Sequence, residues 1–181
     1  MFKIFFLSIL LLPVPAFAQQ HPSPYAGQQS RGIKALSDDE IRGYLSGQGM
    51  ALAKAGELNH YPGPLHVLEF AEQLKLTDAQ KRRTEEIRKT MLDEAIPIGK
   101  RIVDKEADLD RLFAAGAIDT AKLDSTLGEL GRLQGDLRAA HLRAHLEQKK
   151  ILTAEQIAKY DELRGYAKAE TRAEHREHFG H

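Results

Sequence analysis

The sequence contains no cysteine and no tryptophan, and only 7% of its 181 residues are aromatic. Without cysteine the chain can form neither disulfides nor thiolate metal sites, and it has no thiol nucleophile. Lysine and arginine together number 26, as do aspartate and glutamate, so there is no basic excess for a nucleic acid to recognise. Packing must therefore stabilise the fold, and nucleic acid is not expected as a partner.

Long apolar runs are also missing, apart from one at the start of the chain. Residues 4–14 are almost wholly apolar, but about eleven residues are too few for the roughly twenty that a transmembrane helix needs. Lys3 precedes this run and Ala16-Phe17-Ala18 follows it, which is typical of a cleavable secretory signal. We therefore expect residues 1–18 to be a signal peptide, and the mature protein to be periplasmic and without a transmembrane segment.

Common catalytic motifs are absent as well. The sequence has no Gly-x-Ser-x-Gly, no Gly-x-x-x-x-Gly-Lys and no His-Glu-x-x-His. Its many acidic residues alternate with basic ones, a pattern typical of solvated helical faces. The sequence thus predicts a protein that is not an enzyme and has no organic cofactor.

Helix signals begin after a segment without periodicity. Residues 19–36 are rich in Pro, Gly, Gln and Ser and are predicted to be a disordered N-terminal arm. Ser37 and Glu40 then form a capping box that opens a short helix. Pro64 suits the first turn of another helix over residues 65–74. These short helices flank the stronger pattern that follows.

Two long amphipathic helices dominate the rest of the chain. The apolar stripe of the first recurs at spacings of three, four or seven and consists of Ile87, Met91, Ala95, Ile98, Ile102, Leu109 and Leu112. The stripe of the second consists of Leu123, Leu127, Leu130, Leu133, Leu137, Ala140 and Ala144. A short joint near Gly116 makes the two helices antiparallel neighbours, and Pro97 should bend the first. The predicted fold is all-α: a long antiparallel helical hairpin, kinked at Pro97, with flanking shorter helices, over residues 37–166.

A pentapeptide, Leu-Thr-x-x-Gln, occurs twice, at residues 76–80 and 152–156, each time before a helix. Its Thr and Gln can form a capping box, and its Leu can anchor the helix entry. In this respect the chain resembles the periplasmic LTxxQ-motif family, which contains Spy/CpxP-like chaperones and heavy-metal sensor and resistance proteins. The resemblance covers roughly residues 65–166. It implies a hairpin-like helical fold, a homodimer and no catalysis.

Two histidines on the second long helix are candidate metal ligands. His141 and His145 lie about one turn apart on one helix face, a spacing that can chelate a metal. At about 100° per residue they continue the core-facing stripe, and pairing the helices about their joint puts Glu94 opposite His141. Two imidazoles and a carboxylate suit a divalent transition metal such as Zn, Ni, Co or Cu. The same pattern also fits a buried histidine that hydrogen-bonds Glu94 with no metal.

His66 and Glu69, on the helix before the first pentapeptide, are candidates to complete the ligand set. In the metal sensors that the sequence resembles, ligands come from this early helix and from a histidine pair, or a histidine–methionine pair, shortly before the second pentapeptide. His66, His141 and His145 fall in those regions. The resemblance therefore implies a non-enzymatic periplasmic stress protein that binds a transition metal for sensing or resistance.

The last residues, 167–181, form a charged tail that contains His175, His178 and His181. Their spacing of three could extend metal binding. Arginine and glutamate surround them, which also fits solvated residues at a frayed helix end. The sequence alone leaves both interpretations open.

An alternative function follows from the apolar surface. A thin hairpin cannot bury so long a stripe against short neighbours, so part of it should meet a second subunit or an unfolded client. The resemblance implies an ATP-independent chaperone that holds clients on a helical face, or regulation of a membrane-bound signalling protein. The predicted client-binding residues are Met91, Ile98, Ile102, Leu109, Lys100, Arg101 and Lys105. The competing interpretation of the apolar ones is ordinary intramolecular core.

Overall fold

The computed structural model describes residues 23–166, and all regular elements in this range are helices. The predicted signal peptide, the start of the predicted arm and the histidine tail lie outside the described residues. Residues 23–30 contain a turn and the 3₁₀ helix Gln28–Ser30. The larger unit, from Arg31 onward, contains α1 (Asp38–Ser46), α2 (Lys54–Glu57), α3 (Pro64–Glu69), α4 (Asp78–Ala114), α5 (Thr120–Ile151) and α6 (Ala154–Arg164). Within residues 23–166, no helix is both long and apolar enough to span a bilayer.

The helices α4 and α5 form the predicted antiparallel hairpin. Gly116, with φ of 61°, lies in their joint, and the Asp119 side chain caps α5 by accepting a hydrogen bond from the amide of Lys122. Side-chain pairs run in opposite directions along the two helices: Gln148 with Thr84, Arg143 with Glu94, and Arg101 with Glu129. The all-α hairpin fold is thus confirmed. The helix α4 continues through Pro97, and the bend expected there stays a prediction.

Two apolar clusters stabilise the hairpin at different heights. One, in the middle of the hairpin, is formed by Ala95, Ile102, Leu130, Leu133 and Leu137, with Tyr44 and Leu52 packed against it. The other lies at the end where α5 turns into α6 and is formed by Val67, Leu74, Leu76, Leu152 and Tyr160. Buried polar residues on α4 and α5, Thr84, His141 and Gln148, belong to neither cluster. The core therefore consists of two apolar clusters, and the buried polar residues lie outside both.

The two Leu-Thr-x-x-Gln copies bind each other as well as capping their own helices. Thr77 with Gln80, and Thr153 with Gln156, form complete capping boxes. In addition, the Gln80 amide donates to Oε1 of Gln156 at 2.8 Å, and the Gln156 amide donates back at 3.1 Å. The same two amide nitrogens donate to the carbonyls of Ile151 and Leu74, respectively. The motifs therefore join the starts of α4 and α6, and they also supply hydrogen bonds to backbone carbonyls of the segments that precede them.

The helix α1 crosses α4 at a glycine. A Cβ placed on Gly99 would clash with the backbone carbonyl of Tyr44, so only glycine allows the two helices to approach this closely. The α1 N-terminus has the predicted capping box, in which Ser37 and Glu40 bond each other's backbone amides. The C-terminus of α1 ends on Gly47 in the left-handed region, with φ of 67°.

We expect Gly99→Ala to destabilise the protein by about 1–3 kcal/mol, because a methyl group there must displace backbone rather than a flexible side chain. Gly131→Ala is the matched control: it is also helical, and nothing lies within 4 Å of its added Cβ. That change should stabilise by about 0.5–1 kcal/mol through helix propensity. Urea unfolding followed by circular dichroism measures both. Equal effects of the two substitutions would contradict the close α1–α4 contact.

Candidate metal site

A groove of about 510 Å³ lies beside the middle of the hairpin, where α2 and the start of α3 approach α4 and α5. His141 and His145 from α5 line it, as do Met91 from α4 and His66 from α3. The groove thus brings together three of the histidines that the sequence singled out. Its wall also includes Glu57, which the sequence analysis did not predict as a site residue.

His141 is buried, with 3% of its surface exposed, and its Nε2 has no hydrogen-bond partner within the described residues. Burial, and to a lesser extent the nearby His145, lower the pKa of His141. The ring is therefore neutral at neutral pH. A buried polar nitrogen without a partner is costly in a folded protein, which marks it as a position where a ligand or ion would be stabilising.

His145 is held in one orientation by the backbone. Its Nδ1 lies 2.7 Å from the carbonyl oxygen of Tyr61, and since a carbonyl only accepts, Nδ1 must carry the proton and donate. The other nitrogen, Nε2, then presents its lone pair in the neutral ring. A Cβ placed on Gly63 would lie 3.0 Å from this Nε2, so glycine leaves space beside it. An Nδ1–H bonded to a backbone carbonyl is the arrangement that orients histidine ligands in metal sites.

Glu57 connects this histidine to α6. Its Oε2 lies 3.7 Å from Nδ1 of His145, while its Oε1 accepts hydrogen bonds from Tyr160, Tyr166 and Arg164 at 2.6, 3.1 and 3.2 Å. Desolvation, and then the bond to Glu57, raise the pKa of Tyr160. Glu57 is on the short helix α2, where no periodic pattern marks it, and its partners are about a hundred positions later in the chain. Only the tertiary structure brings them together.

Glu94 does not join the histidines. Its side chain is 44% exposed and accepts a hydrogen bond from Arg143 at 2.6 Å, beside a separate groove. The expectation that it faces His141 was therefore wrong in geometry. The buried line of α4 runs through Ala95 and Gly99, and a neighbouring residue is rotated by about 100° from it. The hydrogen-bonded Glu94–His141 pair, which was the alternative without metal, is not formed either.

His66 and Glu69 bind each other, with Nδ1 and Oε2 2.7 Å apart. His66 lines the groove, whereas the Glu69 side chain is 52% exposed and does not. Between residues 23 and 166, no three His, Asp or Glu side chains are grouped closely enough to hold a metal ion. The metal-ligand role of these predicted residues stays a prediction.

The residues predicted to bind clients are mostly engaged within the chain. Ile102 is fully buried in the central cluster, and Ile98 and Leu109 pack against it. The three cations pair with acidic residues: Lys100 with Asp104, and both Arg101 and Lys105 with Glu129. Met91 lines two grooves. The chaperone function stays a prediction, and the fully buried Ile102 cannot contact a client in this fold.

Comparison with known families gives one match. Residues 43–159 fit a protein-family model described as heavy-metal resistance. The chain belongs to the heavy-metal resistance family. The match spans α4, α5 and both Leu-Thr-x-x-Gln copies, so it agrees with the resemblance inferred from those motifs. No curated protein and no solved structure matches the chain.

The stability of this family member, measured without metal, should depend on His141 below neutral pH. Because the pKa of His141 is lower in the folded than in the unfolded state, the unfolded state binds more protons as the pH falls below about 6.5. Stability should therefore decrease from there toward the folded pKa. Urea unfolding at pH 7.5, 6.5 and 5.5 with a chelator measures this. His141→Asn should flatten that part of the profile, and an unchanged pH profile in the variant would contradict the buried neutral ring.

Proposed function

We propose that this protein is a non-enzymatic periplasmic protein of heavy-metal sensing or resistance that binds a divalent transition metal through Nε2 of His141 and Nε2 of His145. The observation that carries the proposal is the buried Nε2 of His141, which has no hydrogen-bond partner within the described residues. His145 lines the same groove, and its Nε2 is available because its Nδ1 makes the bond to the backbone. Membership of the heavy-metal resistance family supports it.

The chemistry of the groove fits such an ion. Neutral imidazole nitrogens are good ligands for Zn, Ni, Co and Cu, and the lowered pKa of His141 keeps that ring unprotonated when the pH is near neutral. Met91 and Met50 also line the groove, and a thioether is a soft ligand. When bound, the metal supplies no reaction here: it is the species to be sensed or sequestered.

Glu57 has a supporting role in this proposal. Its carboxylate lies beside the Nδ1–H of His145, and a negative charge on that side makes the imidazole a better electron donor at Nε2. The carboxylate is also fixed by three donors from α6 and the residues after it, so it cannot swing freely. Glu57 is thus a positioning residue for His145 rather than a ligand.

Replacing both histidines should abolish tight metal binding. We expect His141→Ala/His145→Ala to weaken binding of Zn²⁺, Ni²⁺, Co²⁺ and Cu²⁺ by at least about 100-fold, since each lost ligand removes a coordinate bond. Isothermal titration calorimetry on the full chain measures this. For the unchanged protein, affinity should follow the general order in which Cu²⁺ binds most tightly.

The matched control for this double variant is Gln134→Ala/Arg138→Ala. It has the same spacing on the same helix, but both residues are exposed and outside the groove that contains the histidines. Its metal affinity should equal that of the unchanged protein. Retention of tight binding in the histidine variant would refute the proposed site.

A second test uses the space beside Nε2 of His145. Gly63→Ala places a methyl group 3.0 Å from that nitrogen and 2.9 Å from Cε1 of the same ring, so the imidazole must shift and metal affinity should fall. The backbone itself is not strained, because φ of Gly63 is −84° and suits alanine. Gly56→Ala is the control, since its Cβ meets Leu142 and His145 only at ordinary contact distances of 3.5 and 3.7 Å. Comparable affinities for the two variants would place the metal elsewhere.

A further inference from the structure

The groove that contains the proposed site has more positive than negative charge. Arg88 from α4, Lys54 from α2 and Arg164 from α6 line it, whereas Glu57 is the one acidic residue among the described residues of its wall. Glu57 and Arg164 bind each other at 3.2 Å, so their charges offset. Within residues 23–166, the side chains of Arg88 and Lys54 have neither an ion pair nor a hydrogen bond. Two cations of the wall are therefore uncompensated.

This charge opposes the binding of a bare metal ion. A divalent cation on His141 and His145 would add to the positive excess, because neutral imidazole ligands bring no negative charge, and repulsion is stronger beside a protein than in bulk water. Two imidazoles are also too few, since zinc and its neighbours take three or four ligands. Residues 23–166 contain no group of three His, Asp or Glu side chains that could hold an ion. Charge and ligand number both indicate that an anion with donor oxygens is missing.

The groove has room for such an anion. Its volume of about 510 Å³ is typical of sites for small organic ligands and far exceeds what a single ion fills. Apolar residues line it beside the cations, among them Met91 and Leu92, and this mixture is typical of small-molecule sites. The candidate ion ligands are on α5, whereas the unpaired cations are on α2 and α4. Carboxylates separated by a carbon chain can bind the ion and a cation at the same time, which suits this layout better than one compact phosphate group.

We propose that the groove binds its metal ion as a complex with a small polycarboxylate anion. His141 and His145 bind the ion, and Arg88 and Lys54 bind carboxylate oxygens that the ion does not use. Arg88 has the larger part, because its half-buried guanidinium can bind a carboxylate through two parallel hydrogen bonds, whereas Lys54 is exposed. This inference rests on the proposed function and names the chemical form in which the metal is recognised.

Equilibrium dialysis of the full chain against radiolabelled citrate, with and without Zn²⁺, tests the complex. Citrate is the probe because it has more carboxylates than it needs to chelate the ion. We expect the protein compartment to retain citrate in proportion to the bound Zn²⁺, and little citrate without Zn²⁺. Equal citrate on both sides of the membrane, or equal retention with and without Zn²⁺, would overturn the inference. Retention of inorganic phosphate with Zn²⁺ in place of citrate would overturn the polycarboxylate class.

The substitution Arg88→Gln should affect the two forms of the metal in opposite directions. Retention of the Zn²⁺–citrate complex should weaken by about 10-fold, because hydrogen bonds to a charged group are lost. Binding of Zn²⁺ without citrate, measured by calorimetry, should tighten by about 2-fold, because a repulsive charge is removed. Lys54→Gln should shift both affinities in the same directions by less. Weaker binding of both forms, or no change in either, would contradict the role of these cations.

The matched control is Arg82→Gln. Arg82 lies on the same helix, is exposed, has no ion pair within the described residues and is not part of the groove. Its substitution removes the same charge and should leave both affinities unchanged. Circular dichroism checks that each variant retains the helical content of the unchanged protein.

The outcomes separate this inference from the function on which it rests. If His141→Ala/His145→Ala loses Zn²⁺ binding but the unchanged protein binds Zn²⁺ without retaining citrate, the complex is overturned and the metal site stands. If the double histidine variant binds Zn²⁺ as tightly as the unchanged protein, the proposed function is overturned and this inference with it.

Discussion

The hydrogen bonds between Gln80 and Gln156 are the constraint on which the rest of the structure depends. The hairpin is long and thin, and its two helices start and finish at the end where these side chains meet. Each glutamine caps its own helix and also satisfies a carbonyl of the segment before the other motif. Four chain segments are thereby fixed at one point by groups that would otherwise be unpaired helix ends.

The capping motif before α6 also affects the candidate site. The cap at Thr153 sets the direction of α6, and that direction places Tyr160 and Arg164 where they can donate to Glu57. Glu57 in turn lies beside the ring of His145, whose other restraint is the carbonyl of Tyr61. A motif that is usually described as a helix cap therefore also determines the surroundings of a candidate ligand on a different helix.

His141 is the exception in the balance of polar and apolar groups along the hairpin. A protein of this size gains little by burying a histidine without a partner, because the unpaired nitrogen costs about 1–3 kcal/mol. His141 is nevertheless buried, and its Nε2 has no hydrogen-bond partner within the described residues. Such a local loss of stability fits the proposed role of His141 as a ligand.

The sequence by itself determined the two long helices, the caps at Ser37, Thr77 and Thr153, and the hairpin, because these depend on local periodicity and on residues within one or two turns of each other. It also placed His141 and His145 on the inner face, since both follow the stripe of α5 at fixed rotation. The prediction from sequence failed for Glu94, which is paired with Arg143 and partly exposed. One residue along a helix rotates a side chain by about 100°, so a small error in the assumed helix pairing decides between groove and solvent. Glu57, Tyr61 and Gly63 were decided only by the tertiary structure. They lie on short segments without periodic signal, and their position against α5 and α6 depends on how the chain folds back over a distance of about a hundred residues.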